Sequence, residues 1–364
     1  MQTHPNQPYA EPIPETKPST GLQCPLPFSE SDRVTLAHGG GGRMTHQLIS
    51  RLFYPAFENP LLAQDHDGCV FPAPAGRIAY STDSFVVDPL FFPGGNIGDL
   101  AVNGTVNDLA CCGARPLYLT AGFILEEGLP LKDLHTIVRS MRAAADKAGV
   151  QIVAGDTKVV ERGKCDKLFI NTSGIGQVPE GIRIAPEQVR PGDAVLCSGA
   201  VGAHGITILS ARESLGFETS LQSDTASLNR MISQLIKEIK EIHVLRDPTR
   251  GGVGGTLNEI AQAGKVEITL DESSLPLPEA VRAASEMLGL DPLYIANEGL
   301  ALIILPQRYA AQALALLHRF PEGKKAACIG SVSGPGTPLV KMKTLYGGYR
   351  IVDMLSGEQL PRIC

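Results

Sequence analysis

Four acidic residues stand at positions where a phosphate-bound cation could be held. They are Asp83 in Ser81-Thr82-Asp83-Ser84, Asp108 in Val106-Asn107-Asp108-Leu109, Asp156 in Gly155-Asp156-Thr157, and Asp247 in Asp247-Pro248-Thr249-Arg250-Gly251-Gly252. Each is expected at a strand end or where a glycine turn begins. Hard carboxylates, together with water and phosphate oxygens, are the usual ligands of Mg²⁺. Singly, each reads as a cap or turn residue, and only their convergence would make a metal site. A second feature is His38-Gly39-Gly40-Gly41-Gly42, ahead of a helical pattern over 45–57 with Leu48, Ile49, Leu52 and Phe53 on one side. Consecutive glycines before a helix let backbone N–H groups wrap an anion near the positive helix end. The same run also reads as a flexible turn, and it matches neither the dinucleotide fingerprint nor the P-loop.

Two further polar residues have suggestive settings. Lys158 directly follows Gly155-Asp156-Thr157, and Glu298 in Ala296-Asn297-Glu298-Gly299 precedes an apolar strand. Burial would raise the pKa of Glu298 and fit it for proton transfer near neutrality, while an ordinary ion pair or cap is the alternative for both. The last residue of the sequence, Cys364, follows Pro361-Arg362-Ile363. A tail is a poor place for a structural thiol. Its α-carboxylate disfavours the thiolate, and Arg362 offsets part of that effect.

The elements that must position these residues are legible as alternating strands and helices. Strand-like runs fall at 77–82, 117–125, 168–176, 195–198, 266–270 and 301–305, and helical patterns at 131–149, 227–241 and 306–318. In the first of these helices Leu134, Ile137, Val138, Met141 and Ala145 share one face. Mixed α/β architecture is expected in both halves, with the polar, Pro-containing stretch 179–192 as the boundary. Four segments follow: a flexible Pro-rich extension over 1–32, an N-terminal domain over 33–185, a C-terminal domain over 186–350, and a mobile tail over 351–364. Fully extended, that tail spans about 45 Å.

Composition narrows the function classes. The chain has 364 residues, is 43% hydrophobic and 19% charged, and carries a formal charge of -6 with no basic block. Nucleic acid is therefore an unexpected partner. No apolar run suits a membrane span and no signal peptide is visible, so a soluble, cytoplasmic protein is expected. None of the eight cysteines forms a C-x-x-C pair, and the vicinal Cys111 and Cys112 are expected in the core.

The glycine run, the Ser-Thr-Asp-Ser, Asn-Asp-Leu-Ala and Gly-Asp-Thr-Lys segments and Asp-Pro-Thr-Arg-Gly-Gly together resemble the aminoimidazole ribonucleotide synthetase superfamily. With Pro361-Arg362-Ile363-Cys364 the chain resembles that superfamily's hydrogenase-maturation carbamoyl dehydratases, over residues 33 to 364. The resemblance implies a homodimer of two-domain α/β subunits with mixed sheets and a flexible C-terminal tail. ATP would bind mainly on the N-terminal domain, at Gly39, Gly40, Gly41, Gly42, Asp83, Asp108 and Asp156. Mg²⁺ would be held by carboxylates among Asp83, Asp108, Asp156 and Asp247.

The resemblance also implies the reaction. A carbamoyltransferase partner, HypF, loads a carbamoyl group on Cys364. The enzyme then uses ATP to dehydrate this thiocarboxamide to a thiocyanate, with Lys158 and Glu298 at positions implicated in the dehydration. The cyano group passes to a HypC–HypD complex for the iron of [NiFe] hydrogenase. Superfamily members that phosphorylate small molecules are the neighbouring reading, though they would need no terminal cysteine. A non-catalytic scaffold is the reading from another class.

Overall fold

The computed structural model describes residues 29, 32–64, 66–212, 221–335, 338–355, 357 and 363. Apart from Ser29 and Asp32, the expected extension lies outside them, as does Cys364.

Alternation between a face buried against the helix Ile97–Cys111 and an exposed face builds the first sheet. The glycine run leads into α1 (Arg43–Leu48), which continues through a π-helical turn at Ile49–Phe53 into α2 (Tyr54–Phe57). Then come β1 (Arg77–Phe85), a hairpin of β2 (Phe91–Phe92) and β3 (Gly95–Asn96), and α3 (Ile97–Cys111). After α3 follow β4 (Arg115–Glu126), α4 (Leu131–Ala148), β5 (Gln151–Val160) and β6 (Leu168–Val178). The sheet runs β1-β6-β4-β5, with β4 and β5 parallel and the other pairs antiparallel. The expected face of α4 is buried at Leu134, Ile137, Val138, Met141 and Ala145. Gly149 ends this helix in the left-handed conformation, with φ at 75°.

α3 is the element on which the two halves meet. It carries apolar and small residues on every side, so it is buried nearly all round. Asn96 caps it by accepting the Gly98 N–H at 2.8 Å, and Asp99 returns the bond to the Asn96 N–H at 2.8 Å. Helix contact with α4 is so close that a Cβ on Gly98 would lie 2.3 Å from the Ile137 carbonyl oxygen.

The second half contains β7 (Asp193–Cys197), α5 (Ala203–Ala211), α6 (Asn229–Glu238), β8 (Val244–Arg246), α7 (Gly252–Gly264) and β9 (Val266–Asp271). It continues with α8 (Glu279–Leu288), β10 (Leu302–Pro306), α9 (Ala310–Leu317), β11 (Ala327–Pro335), β12 (Leu339–Lys343) and β13 (Tyr349–Ile351). Its sheet runs β13-β12-β9-β11-β7-β10-β8. β7 and β10 are buried at every residue because helices cover both faces. Ala194 and Leu196 pack with α6 and α9, while Val195 and Cys197 pack with α7.

Several expectations need correction. Asp83 and Asp156 lie within strands β1 and β5, and Asp108 lies in the last turn of α3, rather than at strand ends or glycine turns. Cys111 is buried, but Cys112, the first residue past the helix, is exposed. Ile351 completes β13, and the Val352 N–H donates to the Val340 carbonyl at 2.8 Å, so the tail's first residues are anchored. Ile363 is also buried, at 4% exposure. Among the described residues no helix is long and apolar enough to cross a membrane.

The α3–α4 contact gives a direct test. Gly98→Ala should push the two helices apart and cost about 1–3 kcal/mol, lowering the thermal midpoint by several degrees. An unchanged midpoint would show that the contact is not tight.

Candidate active site

Strand geometry points Asp83 and Ser81 to the same side of β1, toward α3, whose last turn carries Asn107 and Asp108. The Ser81 hydroxyl donates to the Asp108 carboxylate at 2.5 Å. Asp247 follows β8, and Arg246 beside it is held by Glu259 at 2.7 Å. These carboxylates are partly buried and mutually repulsive. Burial, followed by the charge on Asp108, pushes Asp247 up to about 7. Asp83 and Asp108 are raised for the same first reason, burial.

Glu298 closes the cluster from the second half. It is 3% exposed, and its Oε1 finds no hydrogen-bond partner among the described residues. Burial drives its pKa well above the ordinary range, and the charges of Asp224, Asp83, Asp247 and Asp108 add to the effect. An unpartnered buried carboxylate oxygen beside other carboxylates invites a cation or a proton donor.

Two residues hold this loop, Asn107 from the Asn-Asp-Leu-Ala segment and Asp224, which has no signal in the sequence. The Asn107 amide donates to the carbonyls of Ala226 at 2.9 Å and Glu298 at 3.3 Å, tying both loops to α3. Asp224 accepts the backbone N–H groups of Glu298, at 3.2 and 3.3 Å, and of Gly299 at 3.0 Å, and also that of His204. Packing there is tight: a Cβ on Gly299 would fall 1.7 Å from the Asp224 carbonyl oxygen, so only glycine fits. Burial pushes Asp224 up to about 6, against the lowering effect of those N–H donors. His204 is buried and joins Asp224 to the end of the chain, for its Nε2 lies 2.8 Å from the Ile363 carbonyl oxygen.

The glycine run, Asp156 and Lys158 form a separate group. Gly39 sits so close to β5 that a Cβ would be 2.8 Å from the Val159 nitrogen. The Gly41 N–H donates to Thr45 Oγ1 at 3.0 Å. Lys158 Nζ pairs with Asp156 at 2.8 Å, and that hydrogen bond lowers the Asp156 pKa. Gly39, Gly41, Thr45, Phe53, Asp156 and Lys158 line a cavity of about 400 Å³. β5 and β1 are opposite edges of the four-stranded sheet, so Asp156 stands about 14 Å from Asp83 at strand spacing.

Within one chain the fold therefore brings together Asp83, Asp108, Asp247 and Glu298, and it leaves Asp156, Lys158 and the glycine run apart from them. Among the described residues no three side chains are already converged as a metal ligand set.

Known proteins are similar to this chain in sequence and fold. The family described as AIR synthase related protein, N-terminal domain, matches residues 65–178, and its C-terminal domain matches 190–342. The carbamoyl dehydratase HypE of Azotobacter vinelandii is 54% identical over 331 residues, covering 91% of this chain and 97% of that one. A solved structure of the hydrogenase maturation protein HypE in complex with ATP superposes with a TM-score of 0.87 at 52% identity, covering 90% of this chain and 99% of that one. A structure of a HypE–HypF complex superposes with a TM-score of 0.75 at 49% identity, covering 85% and 99%.

Asp224 yields a pH prediction. Its native pKa, about 6, lies above the ordinary 3.8, so its contribution to stability is complete below about pH 4 and is lost as pH rises through 6. Asp224→Asn, which cannot titrate, should flatten the stability profile between those values by at most about 3 kcal/mol, read by urea unfolding. Identical slopes for both proteins would contradict the assignment.

Proposed function

This chain belongs to the carbamoyl dehydratase HypE family of AIR synthase related proteins, and from that membership we propose that it dehydrates a carbamoyl group carried on Cys364. The group is a thiocarboxamide, the product is a thiocyanate, and ATP drives the loss of water. The cyano group serves as a ligand for the iron of [NiFe] hydrogenase. The observation that carries this reading to Cys364 is the docking of its neighbour. Ile363 is buried, its carbonyl meets His204, and His204 and Glu298 share the Asp224 carboxylate.

The chemistry follows from what an amide resists. Its oxygen is a poor leaving group, so the γ-phosphoryl group of ATP is transferred to it and departs as phosphate with the C–O bond. Both N–H protons leave and the C≡N bond forms. Glu298 is the base we assign, directly or through a water, since a raised pKa makes its carboxylate a stronger base than an exposed one. Lys158 stabilises the phosphorylated group, Gly39, Gly40, Gly41 and Gly42 cradle phosphate oxygens with their backbone N–H groups, and Asp83, Asp108 and Asp156 would meet the phosphates of ATP only through a bound cation. The hard, repelling carboxylates and the orphaned Glu298 oxygen suit Mg²⁺, which Asp83, Asp108 and Asp247 of one chain would hold, with Asp156 joining them only from a second copy, and whose charge would offset that of the phosphates.

A homodimer would complete the site. The sheet face away from α3 exposes Ile78, Tyr80 and Ile124 at 49%, 68% and 43%, and Lys158 and Asp156 lie on that same face. A second copy packed there can set its glycine run and Lys158 against the acidic cluster of the first. HypF is the carbamoyl donor, as the solved HypE–HypF complex supports, and a HypC–HypD complex is the acceptor. Use of ATP favours a cytoplasmic site of action. The domain limits we propose are 33–185 for ATP binding and 186–350 for the second domain, with the tail over 351–364.

Intact-protein mass spectrometry after incubation with the carbamoyltransferase, carbamoyl phosphate and ATP tests the reading. A carbamoyl adduct on Cys364 should lose one water only when ATP is present. Glu298→Gln should keep the adduct and slow its dehydration at least about a hundredfold. Cys364→Ala forming the same ATP-dependent product would refute the carrier role.

Mixing tests the shared site. Lys158→Ala and Glu298→Gln should each be inactive, but their heterodimer would contain one intact site, so random exchange should restore about a quarter of wild-type activity. No recovery despite measured exchange would place the whole site within one chain.

A further inference from the structure

Beside the acidic cluster lies a receptor for one peptide carbonyl. His204, the second residue of α5, has no exposed surface. Its Nε2 is 2.8 Å from the Ile363 carbonyl oxygen and its Nδ1 is 2.8 Å from the Ser223 hydroxyl. A carbonyl oxygen only accepts, so Nε2 carries the proton and Nδ1 accepts the hydroxyl proton of Ser223. Ser223 is fixed in turn. Its Oγ accepts the Thr225 N–H at 3.1 Å, and its own N–H donates to the Pro93 carbonyl at 2.9 Å. Phe92 meets the imidazole edge-on, with ring centroids 5.7 Å apart at 90°. Burial holds the His204 pKa down at about 4, so the neutral tautomer persists at physiological pH. Ile363 adds its side chain to the buried cluster containing Phe92, Ile208 and Ala296.

We propose that His204 is a positioning residue whose Nε2–H grips the Ile363 carbonyl and so sets the register in which the group on the next residue, Cys364, meets Glu298. The inference rests on the carrier role proposed above. Residue 363 is gripped through its backbone and one aliphatic side chain. A single neutral hydrogen bond and one isoleucine make a reversible hold. That suits a tail that must also reach donor and acceptor proteins.

The test reads the hold apart from the chemistry. Alkylation of Cys364 by iodoacetamide, followed on the C-terminal peptide by mass spectrometry, should be about fivefold faster in His204→Phe than in wild type. His204→Gln, whose amide can still donate, should restore part of the protection. Ile363→Ala leaves His204 and its Ser223 partner in place, removes the aliphatic half of the hold, and should also speed alkylation. Single-turnover dehydration should slow in His204→Phe by a similar factor with the KM for ATP unchanged. Alkylation rates within twofold of wild type in both His204→Phe and Ile363→Ala would overturn the proposal. If wild type fails to dehydrate while these protections hold, the grip stands and the catalytic reading fails.

Discussion

Like charges packed at one junction with little water to screen them dominate this molecule. Asp83, Asp108, Asp224, Asp247 and Glu298 come from both halves of the chain, and burial raises the pKa of every one. Such a cluster is costly in the folded protein, because each carboxylate loses hydration and faces its neighbours at low dielectric. The rest of the fold offsets that cost. α3, buried on nearly all sides, fixes Asn107 and Asp108, and Asn107 ties the loops of Ala226 and Glu298 to it. A site held this way is prepared for a cation and a polyanion that cancel one another's charge.

Tethering gives the second organising principle. A substrate borne on the protein's own chain needs no binding pocket in the ordinary sense, only a place for the residues beside it, and its effective concentration at the site is set by the tether. Val352 anchors the near end through Val340, and Ile363 rests on His204 at the far end. Between these points the chain has length enough to reach the junction or leave it.

Much of the architecture was legible in the sequence. The face of α4 and the strands β4, β6 and β9 follow from apolar periodicity, since each has one buried side and enough length to show a period. α3 was not legible, because a helix buried all round has no amphipathic signal and its glycines argue against helix locally. β13 is too short for alternation to register. In the site, acidic motifs and Glu298 were visible by residue type, and burial of Glu298 was inferable from the apolar strand after it. Asp224 and His204 were not: their roles come from backbone N–H groups and a carbonyl brought together by tertiary packing, and Ser223-Asp224-Thr225 alone reads as a turn. Nor could spacing reveal that Asp156 lies across the sheet from Asp83.

Where the oxygen of the carbamoyl group goes decides the central claim. If it is labelled with oxygen-18 on the loaded protein and one turnover is run with unlabelled ATP in unlabelled water, phosphoryl transfer to that oxygen predicts inorganic phosphate carrying one labelled atom for each thiocyanate formed. Unlabelled phosphate, with the label appearing in water, would mean that ATP is hydrolysed without activating the carbamoyl oxygen, and would contradict the account.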